Sequence, residues 1–471
     1  MNQPLAATES HERQRAERYG QGHVFRFWDQ LAAPEREHLL AELQAVDFEL
    51  MARLAGQASR GDYASSAPEL APPDLFPLQR DPALETRAEA ARRIGREHLA
   101  AGKVGFMLVA GGQGSRLGYD GPKGCFELGP LTDRSLFGYH AARLRAAGAR
   151  FGFDPVWYVM TSPVNAAATR TFFEERGFFG MPPQDVIFFS QAMLPAMDLE
   201  GRLLMAGPSE LFLAPNGHGG SLAALAGSGA LADMRRRGIE TISYFQVDNP
   251  LARPGDPLFL GLHREAGAGM SSKVVAKRDA AEKVGVIGNV NGRLGCIEYS
   301  DLSPELRDAR DADGNLLFRA GNIALHNLEV EFVEGLVAGG ELQLPWHVAR
   351  KRMTAFDPDG APVEVEGVKF ETFVFDALAQ SATSVTLEVD RRAEFSPVKN
   401  KDGADSADSC RADLGHVFRE MAERAGVPVP EAGLEIDPLF AEDHEEFAAR
   451  GRFAPREVAG GHLYETPESR R

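Results

Sequence analysis

The spacing of the hydrophobic positions changes near residue 100. Before that point apolar residues recur at helical intervals, as at Val24, Trp28 and Leu31, with charged residues between them. Residues 104–110 instead form an unbroken apolar run, VGFMLVA, which is typical of a strand covered on both faces. The pattern therefore predicts helices up to about residue 100 and a buried strand directly after them.

From 101 to 395, strand-like and helix-like segments alternate. Such alternation favours an α/β fold with a mostly parallel sheet that binds ligands at the carboxyl ends of its strands. The segment KDGADSADSCRA at 401–412 is small and polar, so we interpret it as a loop. We expect an N-terminal helical region at 1–100, a central domain at 101–395 and a small C-terminal domain at 396–471. The predicted elements after the first strand are strands at 156–160, 186–189, 242–247 and 273–276, and helices at 135–147, 163–176 and 221–236.

Composition narrows the class of protein. A chain of 471 residues is too long for one ordinary core. Its net charge of −17 argues against a nucleic-acid partner or an anionic membrane partner. The three cysteines are scattered and show neither metal-ligand spacing nor a disulfide framework, which suits a reducing cytoplasm. We expect neither a signal peptide nor a membrane span, because the start is polar and no long apolar run occurs.

The turn after the first strand is dense in glycine. It reads GGQGSRLG at 111–118, and PKG follows at 122–124. Glycine lets backbone N–H groups approach an anion closely, and here Arg116 and Lys123 add two cations beside them. We therefore predict a polyphosphate site with Gly111 and Gly112 as its cradle.

Two common phosphate-binding motifs do not match this turn. A P-loop needs Ser or Thr directly after its Gly-Lys pair, whereas Lys123 is followed by Gly124. The dinucleotide fingerprint Gly-x-Gly-x-x-Gly, counted from Gly112, needs a third glycine where Leu117 stands. A glycine-rich turn can also be only a tight turn after a strand, but Arg116, Pro122, Lys123 and Gly124 at these offsets favour a functional site.

A carboxylate stands at the end of another apolar strand. Asp248 follows the run 242–247 in the sequence QVDNP. A lone Asp at this place often only starts a turn. It can also hold Mg²⁺, or Mn²⁺ in its place, and a cation of this kind neutralises charge that develops on transferred phosphates.

These motifs together resemble a known family. The glycine turn followed by PKG is similar to the signature of the UDP-N-acetylhexosamine (UDP-N-acetylglucosamine) pyrophosphorylase branch of the UDP-glucose/UDP-sugar pyrophosphorylases, with Ser115 in place of the usual Thr. Further blocks follow in the family's order, and the resemblance runs from about residue 25 to about residue 414. These blocks are QAMLPAM at 191–197, PNGHGG at 215–220, KVVAK at 273–277 and FSPVKN at 395–400.

The resemblance implies a fold and a reaction. The fold is a Rossmann-like, glycosyltransferase-A-like nucleotidyltransferase sheet of mixed, mostly parallel strands. The reaction is uridylyl transfer from UTP to a sugar 1-phosphate, with release of pyrophosphate. N-acetylglucosamine 1-phosphate is the favoured substrate. Glucose 1-phosphate, or broad specificity, stays open because His218 replaces the family's Asn, as in other branches of the superfamily. A catalytically inactive sugar-nucleotide-binding protein is the alternative from another class.

The resemblance also implies roles for individual residues. The catalytic residues are Arg116, Lys123 and Lys399, and the metal ligand is Asp248. The residues that bind UTP are Val109, Ala110, Gly111, Gly112, Lys123, Gln191, Gly217, Asp248 and Lys369. The residues that bind the sugar phosphate are His218, Glu298, Tyr299, Asn322 and Lys399.

Overall fold

The structure is a computed structural model that describes residues 3–60, 69–299, 301–450 and 454–470. Its α-helices, numbered in chain order, are α1 (Gln3–Arg18), α2 (Ala33–Ala45), α3 (Phe48–Arg60), α4 (Pro82–Ala100), α5 (Leu136–Phe151), α6 (Ala166–Glu175), α7 (Gly220–Gly227), α8 (Ala230–Arg236), α9 (Pro257–Glu265), α10 (Pro304–Asp308), α11 (Val330–Leu336), α12 (Arg391–Glu394), α13 (Ala407–Arg424) and α14 (His444–Arg450).

The strands are numbered in the same way. They are β1 (Leu70–Ala71), β2 (Leu75–Phe76), β3 (Val104–Val109), β4 (Val156–Thr161), β5 (Val186–Ser190), β6 (Met193–Pro195), β7 (Met197–Asp198), β8 (Met205–Gly207), β9 (Glu210–Leu211), β10 (Leu213–Pro215), β11 (Thr241–Gln246), β12 (Met270–Ala276), β13 (Val286–Val290), β14 (Arg293–Ile297), β15 (Ala320–Glu329), β16 (His347–Phe356), β17 (Pro362–Glu371), β18 (Thr386–Val389), β19 (Leu434–Ile436), β20 (Arg456–Val458) and β21 (Gly461–Tyr464).

The main sheet is mixed but mostly parallel, which confirms the predicted fold class. Its strand order is β2-β18-β12-β15-β11-β3-β4-β5, and β1, β13 and β14 join at β15. β11, β3, β4 and β5 pair in parallel, whereas β15 runs antiparallel to both β11 and β12. The carboxyl ends of four neighbouring strands therefore meet at one edge of this sheet.

The predicted strands of the central region are present, with ends that differ by up to three residues. Two other expectations were wrong in detail. The helix expected at 221–236 is broken into α7 and α8, because Gly229 adopts a left-handed backbone with φ of 81°. The loop expected at 401–412 ends early, because Ser406 caps α13 by accepting a hydrogen bond from the N–H of Ser409 at 3.2 Å.

The chain divides into two compact units, each of which contains three stretches of the sequence. One unit contains the described residues of Met1–Pro68 together with Gln191–Gly220 and Leu344–Val374. The other contains those of Glu69–Ser190, Ser221–Gln343 and Phe375–Arg471. The boundaries expected at 100 and 395 do not coincide with this division. We call the unit that contains Gln191–Gly220 the insert unit and the other the sheet unit.

Each unit has its own core. In the insert unit, buried residues of α2 such as Leu39 and Leu43 pack in one cluster with Met197 and Val368. In the sheet unit, the C-terminal residues share the cluster of the main sheet, since Ile436 and Phe447 belong to the same core as Phe106. The C-terminal strands β19, β21 and β20 therefore do not form a separate hydrophobic core.

The sheet unit contains a buried lysine that pairs with two carboxylates. Lys273 of β12 is 0% exposed. Its Nζ lies 2.8 Å from Asp256 Oδ2 at the start of α9 and 2.6 Å from Glu394 Oε2 at the end of α12. Burial opposes the charge on Lys273, but the two carboxylates raise its pKa. The charges of these three groups offset one another, so the loss of one group leaves an uncompensated charge on the others.

We expect Lys273→Met to destabilise the protein by about 3–5 kcal/mol, because it leaves the buried carboxylate of Glu394 and the partly buried one of Asp256 without their cation. Lys103→Met is the matched control, since Lys103 pairs with Glu240 at 2.7 Å where both side chains are about a third exposed or more. That change should cost about 0–1 kcal/mol. Urea unfolding of the two variants measures both effects. Equal midpoints for the two would contradict this account of the lysine.

Candidate functional site

The glycine turn closes on itself directly after β3. The Gly114 N–H donates to Gly121 O at 2.9 Å, and the Lys123 N–H donates to Gly112 O at 3.1 Å. A Cβ on Gly114 would meet Tyr119 at 2.7 Å, so the fold itself requires that glycine. A Cβ on Gly112 would have no atom within 4 Å. Packing therefore does not require glycine at 112, and the exposed backbone there leaves room for a ligand.

The two cations of the turn differ in environment. Arg116 is exposed in a short helical turn, Ser115–Leu117. Lys123 is partly buried, and its Nζ donates to Val398 O at 3.4 Å. Lys123 therefore connects the glycine turn to the segment that carries Lys399.

Asp248 lies beside this turn. β11 is parallel to β3 with Gln246 opposite Val109, and the pairing continues as the Val247 N–H donates to Val109 O at 3.1 Å. The next residue is Asp248, 9% exposed. The parallel pairing thus brings the predicted metal ligand and the glycine turn to the same edge of the sheet.

The segment 394–400 is joined to the loop after β11. The Val398 N–H donates to Asp248 O at 2.8 Å. The side chain of Asn249 bridges the same two stretches, since its Nδ2 donates to Glu394 O at 2.7 Å and its Oδ1 accepts from the Ser396 N–H at 3.1 Å. Asn249 stands in the same sequence motif as Asp248, but its type and position alone indicate no role.

Lys399 is positioned mainly through its backbone. Its N–H donates to Asp405 O at 2.7 Å, and its Nζ lies 5.9 Å from the Phe395 ring centroid. The structure therefore brings Arg116, Lys123, Asp248 and Lys399 onto connected segments of the sheet unit.

Glu298 and Asn322 meet around Cys296. The Asn322 N–H donates to Gly285 O at 2.8 Å, and its Nδ2 lies 3.9 Å from Cys296 Sγ. Burial raises the pKa of the Cys296 thiol, and the nearby charge of Glu298 raises it further. Tyr299 is 45% exposed, and Ser300, which follows it, lies outside the described residues. Two of the three predicted sugar-facing side chains in this unit are thus neighbours.

In the insert unit, the second glycine loop is fitted against residues 371–374. The Gly219 N–H donates to Thr372 O at 2.8 Å, and the Thr372 N–H donates to Asn216 O at 2.9 Å. A Cβ on Gly217, whose φ is 79°, would lie 2.3 Å from Thr372 O. The loop needs these glycines for its own packing, whatever ligand it binds.

His218 is held as a neutral acceptor. Its Nδ1 accepts from the Val374 N–H at 3.1 Å, and its ring centroid lies 5.2 Å from that of Phe373. Burial lowers the pKa of His218 to about 4, and His347 lowers it in the same direction. With Nδ1 accepting, the proton of the neutral ring sits on Nε2, which makes that nitrogen a donor.

Lys369 lies on β17 of the insert unit. Its Nζ is 5.2 Å from the Phe212 ring centroid. Burial lowers its pKa and so does the charge of Lys351, which lies on the same strand pair. Gln191, also in this unit, is 6% exposed and precedes β6. Sequence reasoning did not single out Lys351 as part of a cationic pair.

Metal binding rests on a single predicted ligand. Among the described residues, no group of three or more His, Cys, Asp or Glu side chains could hold a metal ion. Mg²⁺ characteristically takes one or two carboxylates and completes its shell with waters and substrate phosphates. The single carboxylate of Asp248, beside the turn predicted to bind phosphates, fits that mode. No helix of the described chain is long and apolar enough to cross a membrane.

Comparison with known proteins places the chain in a family. The sequence model of the family described as UTP–glucose-1-phosphate uridylyltransferase matches residues 75–434. The UDP-N-acetylhexosamine pyrophosphorylase-like protein 1 of Xenopus tropicalis is 38% identical over 434 residues, which are 88% of this chain and 84% of the relative. The UDP-N-acetylglucosamine pyrophosphorylase of Saccharomyces cerevisiae is 34% identical over 437 residues, 88% of this chain and 91% of the relative.

Solved structures agree with the sequence comparison. The uridine diphosphate N-acetylglucosamine pyrophosphorylase from Trypanosoma brucei, in complex with an inhibitor, matches with a TM-score of 0.81 and 28% identity. The match covers 94% of this chain and 95% of that one. The resemblance carried by the glycine turn and its companion blocks is thereby confirmed, and this chain belongs to the UTP–glucose-1-phosphate uridylyltransferase family.

Proposed function

We propose that this protein is a uridylyltransferase that converts UTP and N-acetylglucosamine 1-phosphate into UDP-N-acetylglucosamine and pyrophosphate. The observation that carries the proposal is the convergence of the glycine turn, Lys123, Asp248 and the Lys399 segment at one sheet edge, in a member of this family. The relatives named above bear this activity in their names, which favours the N-acetylated sugar over glucose.

The reaction is an in-line displacement at phosphorus. A phosphate oxygen of the sugar 1-phosphate attacks the α-phosphorus of UTP, a new P–O bond forms, and the bond to pyrophosphate breaks. The protein needs no covalent step, so its contribution is to position the reactants and to offset their charge. We assign Lys399 to the incoming phosphate, and Arg116 and Lys123 to the phosphates of UTP and the leaving pyrophosphate.

Asp248 would hold Mg²⁺ or Mn²⁺ in this proposal. When bound, such a cation neutralises charge on the phosphates. The backbone of Val109, Ala110, Gly111 and Gly112 would face the nucleotide. Tyr299, Glu298 and Asn322 would face the sugar.

For the insert unit, the proposal follows the family resemblance. Gln191 and Gly217 would recognise uracil, since a planar amide supplies a paired donor and acceptor. Lys369 would approach the phosphates, and His218 the sugar. We also propose a cytoplasmic location, because the three cysteines are free thiols.

A binding protein without turnover is the alternative from another class. Its mark would be the loss of a charged catalytic residue. This chain retains Arg116, Lys123, Asp248 and Lys399. That constellation favours an enzyme.

The first test is pyrophosphate release from UTP and Mg²⁺ with N-acetylglucosamine 1-phosphate or glucose 1-phosphate. We expect the higher kcat/KM with the N-acetylated sugar. A preference for glucose 1-phosphate would overturn the sugar assignment but keep the reaction. Release with neither would overturn the enzyme in favour of the binding protein.

Lys123→Ala should lower kcat by about 10²–10³-fold, because it removes a preorganised cation from the phosphates. Lys103→Ala removes the same charge directly before β3, at the end of the strand away from the glycine turn, and should keep the wild-type rate. Steady-state pyrophosphate release measures both. Wild-type turnover by the Lys123→Ala variant would contradict the part that we assign to the glycine turn in the reaction.

His218→Ala should raise the KM for the sugar phosphate by about tenfold, because the Val374 N–H loses its acceptor and the loop loses an anchor. His218→Asn should restore most of the loss, since its Oδ1 can accept from the same N–H. With a pKa of about 4, the histidine is neutral above pH 5, so the effect should be constant from pH 6 to 8. If His218→Asn is as impaired as His218→Ala, the imidazole ring itself, and not only its hydrogen bond from the Val374 N–H, is needed.

A further inference from the structure

Asn165 lies under the glycine turn and belongs to none of the sequence motifs described above. It stands between β4 and α6 and is 0% exposed. β4 is the parallel neighbour of β3, with Met160 opposite Val109, and the Ala110 N–H continues the pairing by donating to Met160 O at 2.9 Å. The loop after β4 therefore runs directly beside the first residues of the glycine turn.

Every hydrogen-bonding position of the Asn165 side chain is used. Its Nδ2 donates to Ala110 O at 2.9 Å and to Gly112 O at 3.3 Å. Its Oδ1 accepts from the Ser162 N–H at 2.8 Å and from Ser162 Oγ at 3.2 Å. A carboxamide has two N–H donors and one oxygen with two lone pairs. Rotating the group by half a turn would set its oxygen against two carbonyl oxygens, so its orientation is fixed by its neighbours.

This arrangement determines where the amides of the turn point. In a planar trans peptide, the C=O and the following N–H point in opposite directions. Because the carbonyls of Ala110 and Gly112 face Asn165, the N–H groups of Gly111 and Gln113 face away from it. Within the described ranges, no protein acceptor receives either proton. Gly112, between them, is exposed and open on its side-chain face.

Free N–H groups on an open glycine turn are the donors of an anion site. Holding them in place before the anion arrives avoids the cost of ordering the turn on binding. The Asn165 carboxamide holds the carbonyls of both Ala110 and Gly112, and the Lys123 N–H also donates to Gly112 O at 3.1 Å.

We propose that Asn165 is a positioning residue that orients the Gly111 and Gln113 amides toward the phosphates of UTP. The inference rests on the proposed function and adds to it which group preorganises the turn. Asn165 acts through the two carbonyls and does not touch the nucleotide. Substitution of Asn165 should therefore weaken the binding of UTP through its phosphates. It should leave the binding of uridine and of the sugar phosphate unchanged.

A purely structural role predicts a different result. The Oδ1 half of the side chain ties Asn165 to Ser162 at the start of α6, and that half alone could serve the fold. Asn165→Asp keeps the Oδ1 acceptor and removes both donors. Ser162→Ala is the matched control, because it removes only the hydroxyl bond on the Oδ1 side.

The test uses the full chain with UTP and Mg²⁺. In steady-state pyrophosphate release, Asn165→Asp should raise the KM for UTP by about 10- to 100-fold, as expected for a displaced binding group. The KM for the sugar phosphate, and the inhibition constant of uridine against UTP, should stay within about twofold of wild type. Ser162→Ala should behave as wild type in all three. Calorimetry of UTP binding should show the same weakening without turnover.

A buried carboxylate facing two carbonyls could prevent folding. Asn165→Ser is the second variant, since it is neutral, leaves room for a water and also loses the bidentate donor. Thermal melting identifies which variants are folded. Equal losses for UTP and uridine in a folded variant, or wild-type affinity for UTP, would overturn the inference. A wild-type protein that binds UTP but releases no pyrophosphate would overturn the proposed function instead, and calorimetry of the variants would still decide the role of Asn165.

Discussion

The parallel pairing of β3 with β11 is the contact on which the sheet unit's site depends. Side by side and in the same direction, the two strands end together, so the glycine turn and Asp248 leave the sheet at the same place. The hydrogen bond from the Val247 N–H to Val109 O extends that pairing to the last residue before the carboxylate. A shift in register would separate the predicted phosphate-binding backbone from the predicted metal ligand, even if both sequences stayed unchanged.

Around this pairing, backbone hydrogen bonds connect segments that carry charge. The Lys399 segment is attached to the loop after β11 through Val398 and the side chain of Asn249, and Lys123 reaches Val398 from the glycine turn. The chain as a whole carries a net charge of −17, so its overall field does not attract anionic substrates. Affinity for phosphates must therefore come from a few cations and N–H groups held close together.

The glycines of the two glycine-rich loops differ in whether packing requires them. Gly217 and Gly219 are required by the protein, because a Cβ on either would overlap residues 372–373. Gly112 meets no such obstacle, since a Cβ there would have no atom within 4 Å. One loop is thus glycine-rich for packing, and the other has at least one glycine that packing does not require.

The sequence by itself determined the fold class, the strands that end at the site and the residue types at those ends, because these follow from local periodicity and short motifs. It could not place the break at Gly229 or the start of α13 at Ala407, since those depend on a single backbone angle and a single cap. It also missed the roles of Asn165, Asn249 and Lys273. Each has a partner that is far away along the chain, at 53 to 55 residues for Asn165, 145 for Asn249 and 121 for Lys273. Only the tertiary structure decided those contacts. The chemistry of an Asn or Lys side chain determines which hydrogen bonds and ion pairs it can form, but only the fold brings a partner within reach.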